Sequence, residues 1–192
     1  MKYCFFVAWL RAREKRIADQ IDFDRMINSS TIEESFKVLN DTDYALFLNE
    51  NNIEEILEKG WLDFKKTLEL MGLDKEIIGV LIPEDSFSFM KKEFLEKVCF
   101  ICRKEKSALE FFKKYLEIIN QEDSFKKDQE IIELENEIIE KGEYLTNGFL
   151  PLIAFIIKKK RADYFLSTIF NAKKINMDSL QIRELMEIKR AL

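Results

Sequence analysis

Residues 84–141 read EDSFSFMKKEFLEKVCFICRKEKSALEFFKKYLEIINQEDSFKKDQEIIELENEIIEK, and they contain neither glycine nor proline. A sheet of that length needs turns, and tight turns draw on Gly and Pro for their special backbone angles. The rest of the chain is almost as poor in both, with 5 Gly and 2 Pro in 192 residues. Hydrophobic residues make up 47% and charged residues 35%. Such a mixture, rich in Glu, Lys, Leu and Ile, is the material of long amphipathic helices. The expected fold class is all-α, a bundle of amphipathic helices. A chain of this length buries a sizeable core as one domain, 1–192, or as two small parts in close contact. The sub-lobes would be 1–82 with 143–192, and 83–142.

Working outward, apolar residues recur at helical spacing in most segments. Tyr3, Phe6, Val7, Leu10 and Ile17 form one stripe over residues 3–18. Asp22 and Asp24 are candidate caps for a short helix through Ile27. Ser30-Thr31-Ile32-Glu33 is a capping-box pattern and predicts a helix from about Thr31 to Leu39. Asn52 can cap the next helix, with Ile53, Ile56, Leu57, Phe64 and Leu68 inward and Gly72 as the stop. Gly60 sits within that stripe, a place for another helix to approach closely. Lys75 to Ile82 is a short element stopped by Pro83. Phe89, Leu95, Val98 and Cys102 mark a helix that Leu109, Phe112, Leu116 and Ile119 continue or follow. Residues 121–129 read as a polar turn, and Ile131, Leu134 and Ile138 as a helix ending at Gly142. Pro151 opens the last long helix, with Leu152, Phe155, Ile156, Ala162, Leu166, Ile169 and Phe170 buried. Asp178 to Ala191 closes the chain.

The net charge is −5, which argues against a nucleic-acid partner, since a duplex binder needs a basic face to release phosphate counterions. No secretory signal is visible near the start, and no apolar stretch reaches the length of a membrane span. These features predict a cytoplasmic protein whose membrane contact comes only through partners. Three cysteines, Cys4, Cys99 and Cys102, and no histidine do not make a disulfide framework.

The chemistry-bearing patterns are sparse. Cys99-Phe100-Ile101-Cys102 has redox or half-zinc spacing, but Cys4 is the sole further thiol and the pair lies in an apolar run. The structural reading, small buried helix residues, is preferred over a thiol oxidoreductase. Without histidine the usual general base is missing. Asp41-Thr42-Asp43 lacks the remainder of a calcium loop and reads as turn and cap residues. Neither glycine-rich phosphate loop is present. We therefore expect no catalytic residue, no cofactor and no metal. The densest basic run, Lys158-Lys159-Lys160-Arg161, is the candidate partner interface.

Two stretches carry a resemblance. Near the start stand Ala8, Arg11, Ala12 and Arg13, followed by Glu33-Glu34 and Asp41-Thr42-Asp43-Tyr44. Near the end stand Pro151, Ala154, Phe155, Ile156, Ile157, Lys159, Leu166, Ile169 and Lys173. In order and spacing they resemble the C subunit of V/A-type ATPases, called subunit d in the eukaryotic enzyme. The resemblance covers roughly the first fifty and last forty-five residues. The Asn-Leu-Arg core of that family's last long helix is replaced by Tyr164-Phe165-Leu166-Ser167. Relatives have three helical lobes, so this shorter chain would be a reduced member with one or two. The resemblance implies a non-catalytic rotor subunit between membrane ring and central shaft, both of them its partners. It also implies structural roles for Ala8, Arg11, Arg13, Asp41, Thr42, Asp43, Tyr44 and Pro151. The alternative is a helical adaptor or regulatory protein unrelated to the ATPase.

Overall fold

A computed structural model describes residues 2–49, 52–82, 106–121, 124–146 and 148–191. Among these the fold is all-α. It comprises α1 (Lys2–Glu14), α2 (Gln20–Asn28), α3 (Ile32–Val38), α4 (Ile53–Leu70), α5 (Lys75–Leu81), α6 (Lys106–Ile119), α7 (Ser124–Tyr144), α8 (Leu150–Lys174) and α9 (Ser179–Ala191). Two single 3-10 turns, Leu39–Asp41 and Ala45–Phe47, lie between α3 and α4. Among the described residues no helix is long and apolar enough to cross a membrane.

The helix ends follow from local hydrogen bonding. Asp19 caps α2: its carboxylate accepts from the Ile21 and Asp22 amides while Asp22 accepts from the Asp19 amide. The expected caps Asp22 and Asp24 thus give way to Asp19, because a box three residues wide satisfies more orphan donors. Thr31 caps α3, and Glu34 rather than Glu33 closes that box by accepting from the Ser30 amide at 2.9 Å. Asn52 accepts from the Glu54 amide to open α4, and Gly72, at φ 86°, ends that helix in the left-handed conformation. Asp178 and Gln181 cap α9 reciprocally.

The chain folds as two compact units, Met1–Arg11 with Lys65–Lys158 and Ala12–Phe64 with Lys159–Leu192. These differ from the sub-lobes read in the sequence because the divisions fall inside the continuous helices α1, α4 and α8. In the first unit α6 packs on α7. The α6 face that is buried holds Ala108, Phe111, Phe112, Tyr115 and Ile118, so the predicted stripe 109–112–116–119 is rotated by about one residue. Tyr115 donates to Glu135 at 3.1 Å, which anchors that rotation. The α7 helix starts at Ser124, within the predicted turn, and runs past Gly142 to Tyr144. A Cβ on Gly142 would lie 2.5 Å from Cβ of Ala154, so the glycine permits close contact with α8 rather than a stop. From Leu150 to Ile157 every residue of α8 is buried, Pro151 included.

The second unit is built around Phe23, Met26, Ile27, Leu39, Ile53, Ile56, Leu166, Ile169, Phe170, Ile182 and Met186. Ile17, just beyond α1, packs against this cluster, alone among the described residues of the amino-terminal stripe read in the sequence. The helices α8 and α9 also line it.

Candidate functional site

Within the second unit α8 carries two charges on its inward face. Positions 152, 156, 159, 163, 166 and 170 are spaced by fours and threes and form one stripe of the helix. All six are buried, and two of them are Lys159 and Asp163. Lys159 is 1% exposed and Asp163 8%. Charged groups that deep must be paired and hydrogen-bonded.

Their partners come from the loop after α3 and from α4. The Tyr44 hydroxyl accepts from Lys159 Nζ and donates to Asp163 Oδ1. Trp61 Nε1 donates to Asp163 Oδ2 at 2.7 Å. The Lys159 ammonium also lies 3.9 Å from the centre of the Tyr44 ring and 5.2 Å from that of Trp61, a cation–π arrangement. Tyr44 fits because α4 has glycine at position 60: a Cβ there would stand 2.6 Å from Tyr44 Cε1. Gly60 marks a close approach as expected, with an aromatic ring in place of a helix.

A second group of ions adjoins the same turn. Arg13 donates to Asp43 at 2.5 Å and to Asp63 at 3.0 Å, with its guanidinium 5.3 Å from the Phe64 ring centre. Arg16 donates to the Thr42 carbonyl at 3.0 Å, and its own carbonyl accepts from the Asp43 amide at 2.9 Å. The Thr42 hydroxyl caps the turn by donating to the Leu39 carbonyl at 2.7 Å. Asp41 faces solvent beside Arg25, at 3.6 Å. Among the described residues every buried side-chain nitrogen and oxygen has a hydrogen-bond partner.

Burial pushes the Lys159 ammonium below the ordinary lysine range, against the opposing pull of Asp163 and Asp43. Burial likewise raises Asp163, while Lys159 and the hydroxyl of Tyr44 hold it back. Tyr44 is pushed well above the ordinary phenol value, first by burial and then by the Asp163 carboxylate. Two cations, Lys159 and Arg13, balance two anions, Asp163 and Asp43, inside the core. Lys159, Asp163 and Tyr44 are buried while Trp61 and Arg13 reach partly to the surface, and the cluster's chemistry is that of a cross-tie between loop, α4 and α8.

The basic run is thereby divided. Lys159 leaves the expected partner interface, because its position on the α8 stripe turns it into the core. Lys158 is half-buried and pairs with Glu143 at 2.5 Å, both in the first unit; Lys160 and Arg161 are half-buried. Among the motif positions, Arg13, Thr42, Asp43 and Tyr44 belong to the network. Arg11 donates to the Gly142 carbonyl in the first unit, and Ala8 is exposed. Sequence reasoning misses Asp163, Trp61 and Asp63. The available signal was a Lys and an Asp four apart within an apolar stripe, which at that spacing face the same way. Cys99, Cys102 and the helix expected over 89–102 lie outside the described residues, as does Pro83. No family model, curated protein or solved structure matches this chain.

Proposed function

We propose that this chain is a non-catalytic central-stalk subunit of a V/A-type ion-translocating ATPase, linking the membrane ring to the central shaft and transmitting torque. One observation carries the reading. Tyr44 from one resembling stretch and Lys159 from the other, 115 residues apart, are hydrogen-bonded in the core, and Arg13 and Asp43 of the first stretch pair beside them on the same turn. Motif positions matched by accident have no reason to meet in space. Positions shared because a fold requires them do. A further supporting contact joins the same two regions: Lys173 donates to the Ser29 carbonyl at 2.7 Å. Such a subunit works mechanically, and a packed core with crossed ion pairs deforms little under load.

The test is binding. The purified chain, mixed with a membrane-ring or shaft preparation of an ATPase from its own source, should co-migrate with it and show no ATP turnover alone. Genes for head, shaft and ring subunits should flank its own. A well-folded chain that binds neither preparation at low salt would overturn the reading in favour of a helical adaptor.

A further inference from the structure

We infer that Lys159 and Asp163 act as a register lock, fixing which turn of α8 faces Tyr44 and Trp61 in the second unit. The need for one is visible in the apolar pattern. Ala162, Leu166 and Phe170 recur every four residues, and Phe165 and Ile169 repeat the interval beside them. All of these pack in or against the core of the second unit. An axial slip of one turn would exchange one apolar side chain for another along this face. Hydrophobic burial is non-directional, so it discriminates weakly between such registers.

The charges do discriminate. Slipping α8 so that each residue takes the place of the one four before it moves Asp163 into the slot of Lys159. In that slot the charged atom lies 3.9 Å from the centre of the Tyr44 ring, whose negative face attracts a cation and repels a carboxylate. The opposite slip moves Lys159 into the slot of Asp163. There the Trp61 indole points a donor hydrogen that an ammonium, having no lone pair, cannot accept, and the cation stands against that N–H. Phe155 would meanwhile take the slot of Lys159 and leave the Tyr44 hydroxyl without the donor it accepts from. Each wrong register buries an unmatched charge or donor, and such groups are costly in an apolar interior. Only the observed register satisfies all four groups. Single buried polar residues set register in coiled coils by the same logic.

A register lock supplies specificity, so its test must separate specificity from stability. Three variants of the full chain suffice, in a Trp9→Phe background that leaves Trp61 as the fluorescent reporter. Lys159→Met alone strands Asp163 and Tyr44 and should lower the urea midpoint sharply. The triple change Tyr44→Phe, Lys159→Met and Asp163→Leu removes the network at similar volume, and half-exposed Trp61 can turn its N–H to water. It should regain at least the parent midpoint, yet give split or broadened amide NMR signals for residues 159–174. The swap Lys159→Asp with Asp163→Lys puts each charge in the wrong slot and should behave like the single variant. A triple variant with one sharp set of signals would overturn the lock, since apolar packing then specifies register alone. A triple variant that fails to fold would overturn it too, because the network would then be a source of stability. So would a swap that keeps the parent midpoint and a single set of signals.

Discussion

Replacing Gly60 by alanine should destabilise the second unit, although alanine is the better helix former. In the interior of α4 the exchange gains about 1 kcal/mol of helix propensity. Against this, the new methyl would lie 2.6 and 2.9 Å from two carbons of the Tyr44 ring. The ring cannot swing aside cheaply, because its hydroxyl is held by both Lys159 and Asp163 and the residue is 1% exposed. Overpacking of a well-filled core costs about 1–3 kcal/mol, and a hydrogen bond to a charged group adds about 1.5–3 kcal/mol if the ring must let go. Net of the helix gain, the loss should be up to about 2 kcal/mol if the ring keeps its bonds and about 1.5–5 kcal/mol if it lets one go, read from urea unfolding followed by Trp61 fluorescence. The sign should reverse in a Tyr44→Ala background, where only helix propensity remains and Gly60→Ala should stabilise by about 1 kcal/mol. Gly79, exposed on α5 with nothing among the described residues within 4 Å of an added methyl, is the internal control: Gly79→Ala should stabilise the first unit. If Gly60→Ala stabilises the protein with Tyr44 present, the close approach does not exist and the network loses its geometry.

Leu166→Ala should cost about 2–5 kcal/mol in chemical denaturation, since Leu166 is completely buried; a loss under about half a kcal/mol would move its stripe to the surface. Tyr44 has its phenol raised by burial and by Asp163, so the stability it contributes is present below the ordinary tyrosine value of about 10 and is lost as pH rises through its higher folded value. The parent chain should therefore lose stability relative to Tyr44→Phe between pH ~9 and ~11, and parallel curves would refute the assignment. Lys159, lowered by burial, acts in the opposite sense over its own range, and Tyr44→Phe also removes its hydrogen-bond acceptor, so a Lys159→Met background isolates the phenol's share. Reversing Lys158 and Lys160 to Glu should weaken docking to ring or shaft preparations at low salt, with a modest fall in unfolding temperature because residue 158 then opposes Glu143. A sharp fall in unfolding temperature with docking intact would assign both lysines to internal pairs, of which Lys158–Glu143 is one.

Helix class and most helix ends were legible because they depend on neighbours in sequence. Thr31 and Asn52 cap where hydroxyl and amide side chains should, and Gly72 stops α4 because it alone tolerates the left-handed angle cheaply. The α8 stripe was legible too, since Leu152, Phe155, Ile156, Leu166 and Phe170 leave little freedom of rotation. Less visible was anything decided by a distant partner. The rotation of α6 depends on Tyr115 finding Glu135 on α7. Lys159 looks like one of four solvated cations unless its place on the apolar stripe, four residues before Asp163, is weighed, and only Tyr44 and Trp61 beside it show why that place can hold a charge. Arg13, Asp43 and Tyr44 stood out only through the resemblance, which marked positions without revealing that they touch.

The span between Tyr44 and Lys159 has a consequence in time. A ribosome adding about 5–20 residues per second needs about 6–23 seconds to make the 115 residues that separate the two. For most of that interval the partners of Arg13, Asp43 and Asp63, have already been synthesised, and this half of the ion cluster can form early. Tyr44 and the notch at Gly60 must wait. The nascent segment 12–64 therefore carries an open apolar face until α8 arrives, and that delay is when chaperones or stray chains can reach it.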